Sequence, residues 1–528
     1  MSEQAKLRDF HSARWDEPLL VDLSQPGRRG VIPPRCEPEI DVAVGDIKTL
    51  LPQAIARHGQ IPLPELSQPE VVRHFSRLSQ MTMGNDVGND IGQGTCTCKY
   101  SPKVHEVLAK SVQMTEIHPQ QDEHTVQGML EIFHRARDFM RAISGMDEVS
   151  FQPGAGGQGV LTAACIARAY HRARGQDKQR DQIITTIHSH PVDAACPATM
   201  GYEVITLWPD EQGYPDLAAL KSAVSERTAG VFMTNPEDTG LYNSHIDEYV
   251  RAVHSVGGLC FTDQANLNGI IGKARARDAG FDTCHFNLHK TFSSPHGTFG
   301  PGCAAICVTE ELARFLPVPV VTRDPSGYHL DFDRPDTIGR VKDFVGNAMV
   351  VLRVFAWIMS LGSEGLNAVA ETAVINNNYL AKQLMAIPGV SMSYGDDGRP
   401  RLDQVRFSWE KLTEDTGLSS EDLQRRIGDY GLQIYWMSHH PQTIPQPFTP
   451  EPTESYSKQD IDEWAAVMRQ LSKEAYETPE VIRTAPHNGV VDRIDETFMI
   501  EEASTCVTWR KWMRLKVAEV STSHIDGN

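Results

Sequence analysis

The spacing of apolar residues changes character twice along the chain. Over the first hundred residues, short apolar pieces such as Pro18, Leu19, Leu20 and Val21 are set among proline, glycine and charge, and helical spacing is sustained only over 69–80. From about Ser101 helical and extended patterns alternate. A helical period runs over 123–144, an extended stretch over 148–151, then a glycine run and a second helical period over 160–174. Strand patterns follow at 182–187, 203–207, 230–234, 259–262 and 303–308, with helical segments between them. Such alternation predicts an α/β domain built on a large, mostly parallel sheet. After Arg340 the helical period continues to Ala373, and short strands then mix with helices, as in a smaller α+β domain. The expected organisation is an N-terminal arm (1–100), a large domain (101–340), a small C-terminal domain (341–485) and a tail (486–528).

Composition narrows the class. The 528 residues are 40% hydrophobic and 23% charged, with 40 glycines and 32 prolines, which supports a sizeable core and excludes collagen-like or wholly disordered chains. Fifty Lys and Arg against 69 Asp and Glu give a net charge of -19, which disfavours nucleic acid and anionic lipid as partners. Charged residues interrupt the apolar runs before the ~18 residues of a membrane span, and Met1, Ser2, Glu3 and Gln4 open no signal segment, so a cytoplasmic location is expected. The ten cysteines are scattered. Only Cys96 with Cys98 and Cys303 with Cys307 lie close together, and neither pair has a zinc-ribbon counterpart, so reduced thiols and no metal are expected.

Two stretches carry candidate chemistry. Gly154, Gly156 and Gly159 satisfy G-x-G-x-x-G between a predicted strand and a predicted helix. The following strand ends in His188, Ser189 and His190 rather than the acid that a dinucleotide ribose requires, so the loop reads as a phosphate site at a helix N-terminus or as plain strand-to-helix packing. Further on, the strand around Phe261 ends at Asp263, and Lys290 follows another short apolar run. A lysine in an α/β core can bind pyridoxal phosphate (PLP) covalently, and an acid at a strand end can keep its ring nitrogen protonated. Taken singly, Lys290 also suits a surface lysine, Asp263 a helix cap and His190 a hydrogen-bonded core histidine.

Longer motifs bear on these alternatives. Gly94 to Tyr100 (GTCTCKY), His118-Pro119 with Thr125 to Gly128 (TVQG), Asn287 to Phe292 (NLHKTF) with Pro295 to Gly297 (PHG), Asp333 to Pro335 (DRP) and Glu451 to Glu454 (EPTE) form a specific series. Trp15 to Leu19 (WDEPL) and Gly27 to Gly30 (GRRG) extend the series towards the N-terminus, and the likeness they carry covers about residues 10–515. In these motifs the chain resembles the C-terminal half of glycine dehydrogenase (decarboxylating), the P-protein of the glycine cleavage system, in its separate subunit 2 form. The resemblance implies the aspartate aminotransferase type of PLP fold. It also implies a homodimer or a heterotetramer with a related subunit 1, and glycine decarboxylation with transfer of the aminomethyl group to lipoylated H-protein. Carried over to this sequence, Lys290 would bear PLP, Asp263 would face its ring nitrogen and His190 would lie over the ring as acid–base partner. Gly157, Gln158 and Thr291 would surround the phosphate, with Ala265 and His289 completing the cofactor set.

The sequence departs from the family around the presumed substrate. Four glycines after Pro-His become Gly297-Thr298-Phe299-Gly300, and the family's Gly-Thr-Asn-Pro after the histidine becomes Pro191-Val192-Asp193-Ala194. Val160 replaces a glutamate, and residues 432–441 replace a stretch richer in proline and apolar residues. Cofactor residues persist while substrate-side residues drift. The alternative function is therefore the same carbanion chemistry on another small amino acid or with another acceptor. A catalytically silent scaffold subunit is disfavoured by Lys290.

Overall fold

The computed structural model describes residues 7–46, 51–57, 59, 61, 63–83, 88–89, 91–92, 99–296, 300–395, 398–432 and 443–494. Cys96, Cys98, the Gly297 to Phe299 departure, most of the 432–441 segment and the end of the tail lie outside them.

Seven strands form the main sheet: β1 (Glu148–Ser150), β2 (Gln182–Thr186), β3 (Glu203–Leu207), β4 (Thr228–Thr234), β5 (Leu259–Asp263), β6 (Thr283–Asn287) and β7 (Ala304–Val308). Their order is β1-β7-β6-β5-β4-β2-β3. Strands β3, β2, β4, β5 and β6 run parallel, while β7 is antiparallel to β6 and β1 to β7. The mostly parallel sheet read from the sequence is present. Strand β6 was hidden because its His285 and Asn287 break the apolar run, although all five of its residues are buried. A sheet covered on both faces reads as continuous burial rather than as alternation.

Two hydrophobic layers sandwich this sheet. On one side Leu130, Phe133 and Met140 of helix Gln127–Ser144 and Val350, Val354 and Trp357 of helix Ala348–Leu384 pack with Val231, Cys260 and Phe286. On the other, helix Gly156–Ala173 buries Val160, Ala163, Ala164 and Ala167 with Phe232, Phe261 and Ile306. Val160 is fully buried, so its departure from the family's glutamate serves packing. Helix Ala348–Leu384 is long and apolar enough to cross a membrane by composition, but a line of its side chains is part of this core and its backbone turns at Gly362 (φ 64°).

A second core lies downstream. Strands β10 (Ser391–Met392), β11 (Phe407–Ser408) and β12 (Pro447–Phe448), reached past hairpin β8 (Val320–Asp324) and β9 (Gly327–Asp331), form a small antiparallel sheet. Phe407, Trp409 and Phe448 stack there against Trp464 and Leu471 of helix Lys458–Glu477.

Contacts divide the chain into Met1–Asp9 with Gly84–His487, which holds everything described so far, and Phe10–Met83 with Asn488–Asn528. In the second unit, helix Gln68–Gln80 opens with a capping box between Ser67 and Glu70. Buried Glu17 binds His74 (2.9 Å) and Arg77 (3.0 Å) of that helix, and Arg14 pairs with Asp492.

Candidate active site

Parallel strands bring their carboxyl ends to one edge, where loops gather the side chains that the strands position. Strand β5 ends at Asp263, 5% exposed. Asp263 Oδ1 accepts a 2.8 Å hydrogen bond from the Ala265 amide, so the expected Ala265 orients this carboxylate through its backbone. Register sets Asp263 between Thr234 on β4 and His285 on β6. His285 is fully buried, its Nε2 3.6 Å from Asp263 Oδ1, and neither ring nitrogen has a hydrogen-bond partner among the described residues. Burial pushes its pKa down, so the ring is neutral at ordinary pH, and it stacks on Phe261 with centroids 5.6 Å apart.

Lys290 sits in the turn after β6, its amide donating to the Asn287 carbonyl at 3.1 Å. It is partly exposed, and among the described residues no carboxylate pairs with it. Its neighbours are fixed by burial. Thr291 Oγ1 accepts from the Leu267 amide at 2.8 Å and donates to Asn266 Oδ1 at 3.3 Å, so this hydroxyl ties the lysine turn to the loop after β5. The His289 ring lies against the Cys303 backbone and edge-on to His296 (4.4 Å). Burial and His296 lower the His289 pKa to about 3, which makes it a neutral support beneath the turn.

The glycine loop opens helix Gly156–Ala173, whose first intrahelical bond comes from Gly159 to Ala155. The amides of Gly156, Gly157 and Gln158 precede that bond and stand at the positive end of the helix. The Gln158 side chain turns back to accept from the Gly154 amide at 2.7 Å. The loop serves packing as well as any ligand. A Cβ on Gly156 would come within 2.9 Å of Asn287 Nδ2, and one on Gly159 within 3.0 Å of the His285 ring, whereas one on Gly157 would meet only Val192 at 3.8 Å. The close approach of β6 thus demands two of the glycines, and Gly157 has room beside it.

His190 is half-buried just before helix Val192–Thr199, its Nδ1 accepting from the Val192 amide at 3.2 Å and its carbonyl from the Asp193 amide at 2.8 Å. Beside it His188 is buried between Glu237 (3.5 Å) and the Tyr394 hydroxyl (3.2 Å).

Two residues at this edge escaped the sequence reading, and a third stood in it with its role open. His285 lies on β6, the strand that the apolar pattern did not reveal. Lys342 lies just past the expected boundary of the large domain, yet its Nζ is 2.9 Å from where a Gly154 Cβ would stand. Lys99, whose motif allows a carboxylate or phosphate contact although an exposed position is the commoner outcome for a lysine, is fully buried. Its ammonium is 2.7 Å from Glu454, 2.8 Å from the Thr291 carbonyl and 5.2 Å from the Trp357 ring centroid. Its place in a GTCTCKY motif was the available signal. A cavity of about 630 Å³ lined by residues such as Gln121, His124, His329, Arg340 and Phe344 holds none of the expected site residues. Convergence of polar groups at the strand ends therefore marks the site better than volume does.

Residues 369–491 match the family model described as glycine dehydrogenase, C-terminal domain. The chain is 40% identical over 509 residues to a protein of Pyrococcus horikoshii named "Probable glycine dehydrogenase (decarboxylating) subunit 2", covering 96% of this chain and 98% of the relative. A relative of the same name in Halalkalibacterium halodurans is 40% identical over 488 residues, 91% of this chain and 96% of that one. Among solved structures, an inhibitor-bound glycine decarboxylase (P-protein) of the glycine cleavage system superposes with a TM-score of 0.68 at 18% identity, over 84% of this chain and 100% of that chain. A sphingosine-1-phosphate lyase from Burkholderia pseudomallei gives 0.58 at 14% identity, over 81% of this chain and 95% of its own, and a cysteine desulfurase from Thermococcus onnurineus gives 0.57 at 16%, over 74% and 95%. The three share the fold expected of this chain, and the full-length identity settles the kinship: the chain belongs to the glycine dehydrogenase (decarboxylating) subunit 2 family.

Proposed function

We propose that this protein is a PLP-dependent enzyme that decarboxylates glycine and passes the aminomethyl group to lipoylated H-protein, as one part of a glycine cleavage system in the cytoplasm. The observation that carries the reading is the convergence at one sheet edge of a lysine with no carboxylate partner among the described residues, a buried strand-end carboxylate and a glycine-opened helix N-terminus. The residues present fit the cofactor. Lys290 Nζ would hold its aldehyde carbon, Asp263 its ring nitrogen, and the amides of Gly157 and Gln158 its phosphate, with Gly157 leaving space for close approach. When bound, PLP supplies an electron sink for the electron pair left as the carboxylate departs as carbon dioxide.

The chain's own residues prepare that chemistry. Ala265 and the strand row fix Asp263, while His285 stays neutral and so does not compete as a cation for its charge. Thr291 and His289 immobilise the lysine turn, sparing catalysis the entropy of positioning it. His190 would exchange protons with substrate, a general acid–base role open to an imidazole. Two copies of the chain, or this chain with a related subunit 1, would form the working assembly, each copy divided into arm, large domain, small domain and tail.

A second reading keeps this chemistry but changes the substrate or acceptor. It is favoured by Asp193, where a fully buried carboxyl replaces the family's amide next to the presumed ring site. Purified protein supplied with PLP should show a visible absorption band that borohydride removes, and Lys290→Ala should lack both the band and all turnover. A wild-type protein that takes up no PLP would sink both readings; a band perturbed by another amino acid but not by glycine would favour the second.

A further inference from the structure

Asp193 lies in the first turn of helix Val192–Thr199 and is 0% exposed. Its Oδ2 receives the Thr234 hydroxyl at 3.5 Å, and Thr234 is the cross-strand neighbour of Asp263. The Asp193 carboxyl meets that of Asp263 within this row. Its Oδ1 has no donor among the described residues, a costly state for a buried carboxylate oxygen.

Among the described residues no lysine or arginine forms an ion pair with either carboxyl, and the Lys290 charge at the same edge reaches the His285 ring. Asp193 faces Asp263 and Thr234 from the sheet, Asp238 from the loop after β4 and Cys196 from its own helix. Asp238 is already paired with Arg406 at 2.7 Å, and the His285 ring beyond Asp263 is neutral. Two buried acids in contact, neither of them ion-paired with a lysine or arginine among the described residues, keep one proton between them.

We infer that Asp193 is a positioning residue that retains a proton and donates it in a hydrogen bond to Asp263, leaving the Asp263 charge for the ring nitrogen of the cofactor. This deepens the PLP reading and rests on it. Burial and the charge of Asp263 both raise the Asp193 pKa, in agreement with a neutral acid. No net transfer is involved: the proton stays on Asp193 and is shared with an Asp263 oxygen. Above the pKa of the pair the proton is lost, and two adjacent charges repel.

The test compares wild type with Asp193→Asn, whose amide keeps a donor, and Asp193→Ala, which has none. Without cofactor, the infrared difference between wild type and Asp193→Asn at neutral pH should contain a protonated-carboxyl carbonyl band, the contribution of the buried Asp403 being common to both proteins and cancelling. With PLP added, Asp193→Asn should bind it within about threefold of wild type and Asp193→Ala about tenfold more weakly, the scale of one charge-assisted hydrogen bond. The visible spectrum of the wild-type complex should show an alkaline transition that Asp193→Asn lacks. The absence of that band from the infrared difference, or the same alkaline transition in both proteins, would overturn the inference. Protein that shows the infrared difference yet takes up no PLP would support the shared proton and refute the cofactor reading.

Discussion

At Gly159 a missing Cβ decides how closely a helix approaches a strand. Its space is taken by the His285 ring, which stacks on Phe261 in the middle of the sheet and cannot withdraw. Alanine there gains up to ~1 kcal/mol in helix propensity but overpacks the contact at ~1–3 kcal/mol. Gly159→Ala should therefore lower the melting temperature. Gly157→Ala, which meets only Val192 at 3.8 Å, should leave stability unchanged or raised and weaken PLP binding instead. Calorimetry with and without PLP separates the two, and equal destabilisation would mean that Gly157 also serves packing. Single residues such as Asp263 and Lys290 were legible because their motifs are contiguous. Asp193 was legible only as a departure, since its contact with Asp263 joins residues 70 positions apart on different elements.

Between elements, a second pair of acids links the loop after β5 to the downstream sheet. Asp403 and Glu451 are both buried, and the Asn266 side chain donates to each, at 3.2 Å to Asp403. Burial and the charge of Glu451 push Asp403 up to about 8 from 3.8. The folded state thus holds a proton that the unfolded chain releases above about pH 4, so stability from this pair is full below that pH and is lost as pH rises through about 8. Urea midpoints should fall across that window, and Asp403→Asn should flatten the fall; an unchanged slope in the variant would place the proton elsewhere. No periodicity announces such a junction. Positions 403 and 451 lie on separate short segments, and only folding sets them side by side.

For the whole molecule, the large sheet was readable because alternating helices and strands must bury both of its faces, and six of its seven strands show in the sequence pattern. The antiparallel pair β7 and β1 was not readable as such, since strand direction depends on connections rather than on side-chain pattern. The proposed function follows the same division: the residues proposed to hold the cofactor lie in motifs, while what surrounds them is assembled from distant segments. The central claim is glycine decarboxylation at Lys290. It is tested most directly by exchange of labelled carbon dioxide into the carboxyl group of glycine, with PLP and lipoylated H-protein present, the related second chain added where one exists, and Lys290→Ala as control. The account predicts exchange in the wild-type protein and none in Lys290→Ala; absence of exchange in the wild type under all these conditions, or exchange that persists in Lys290→Ala, would contradict it.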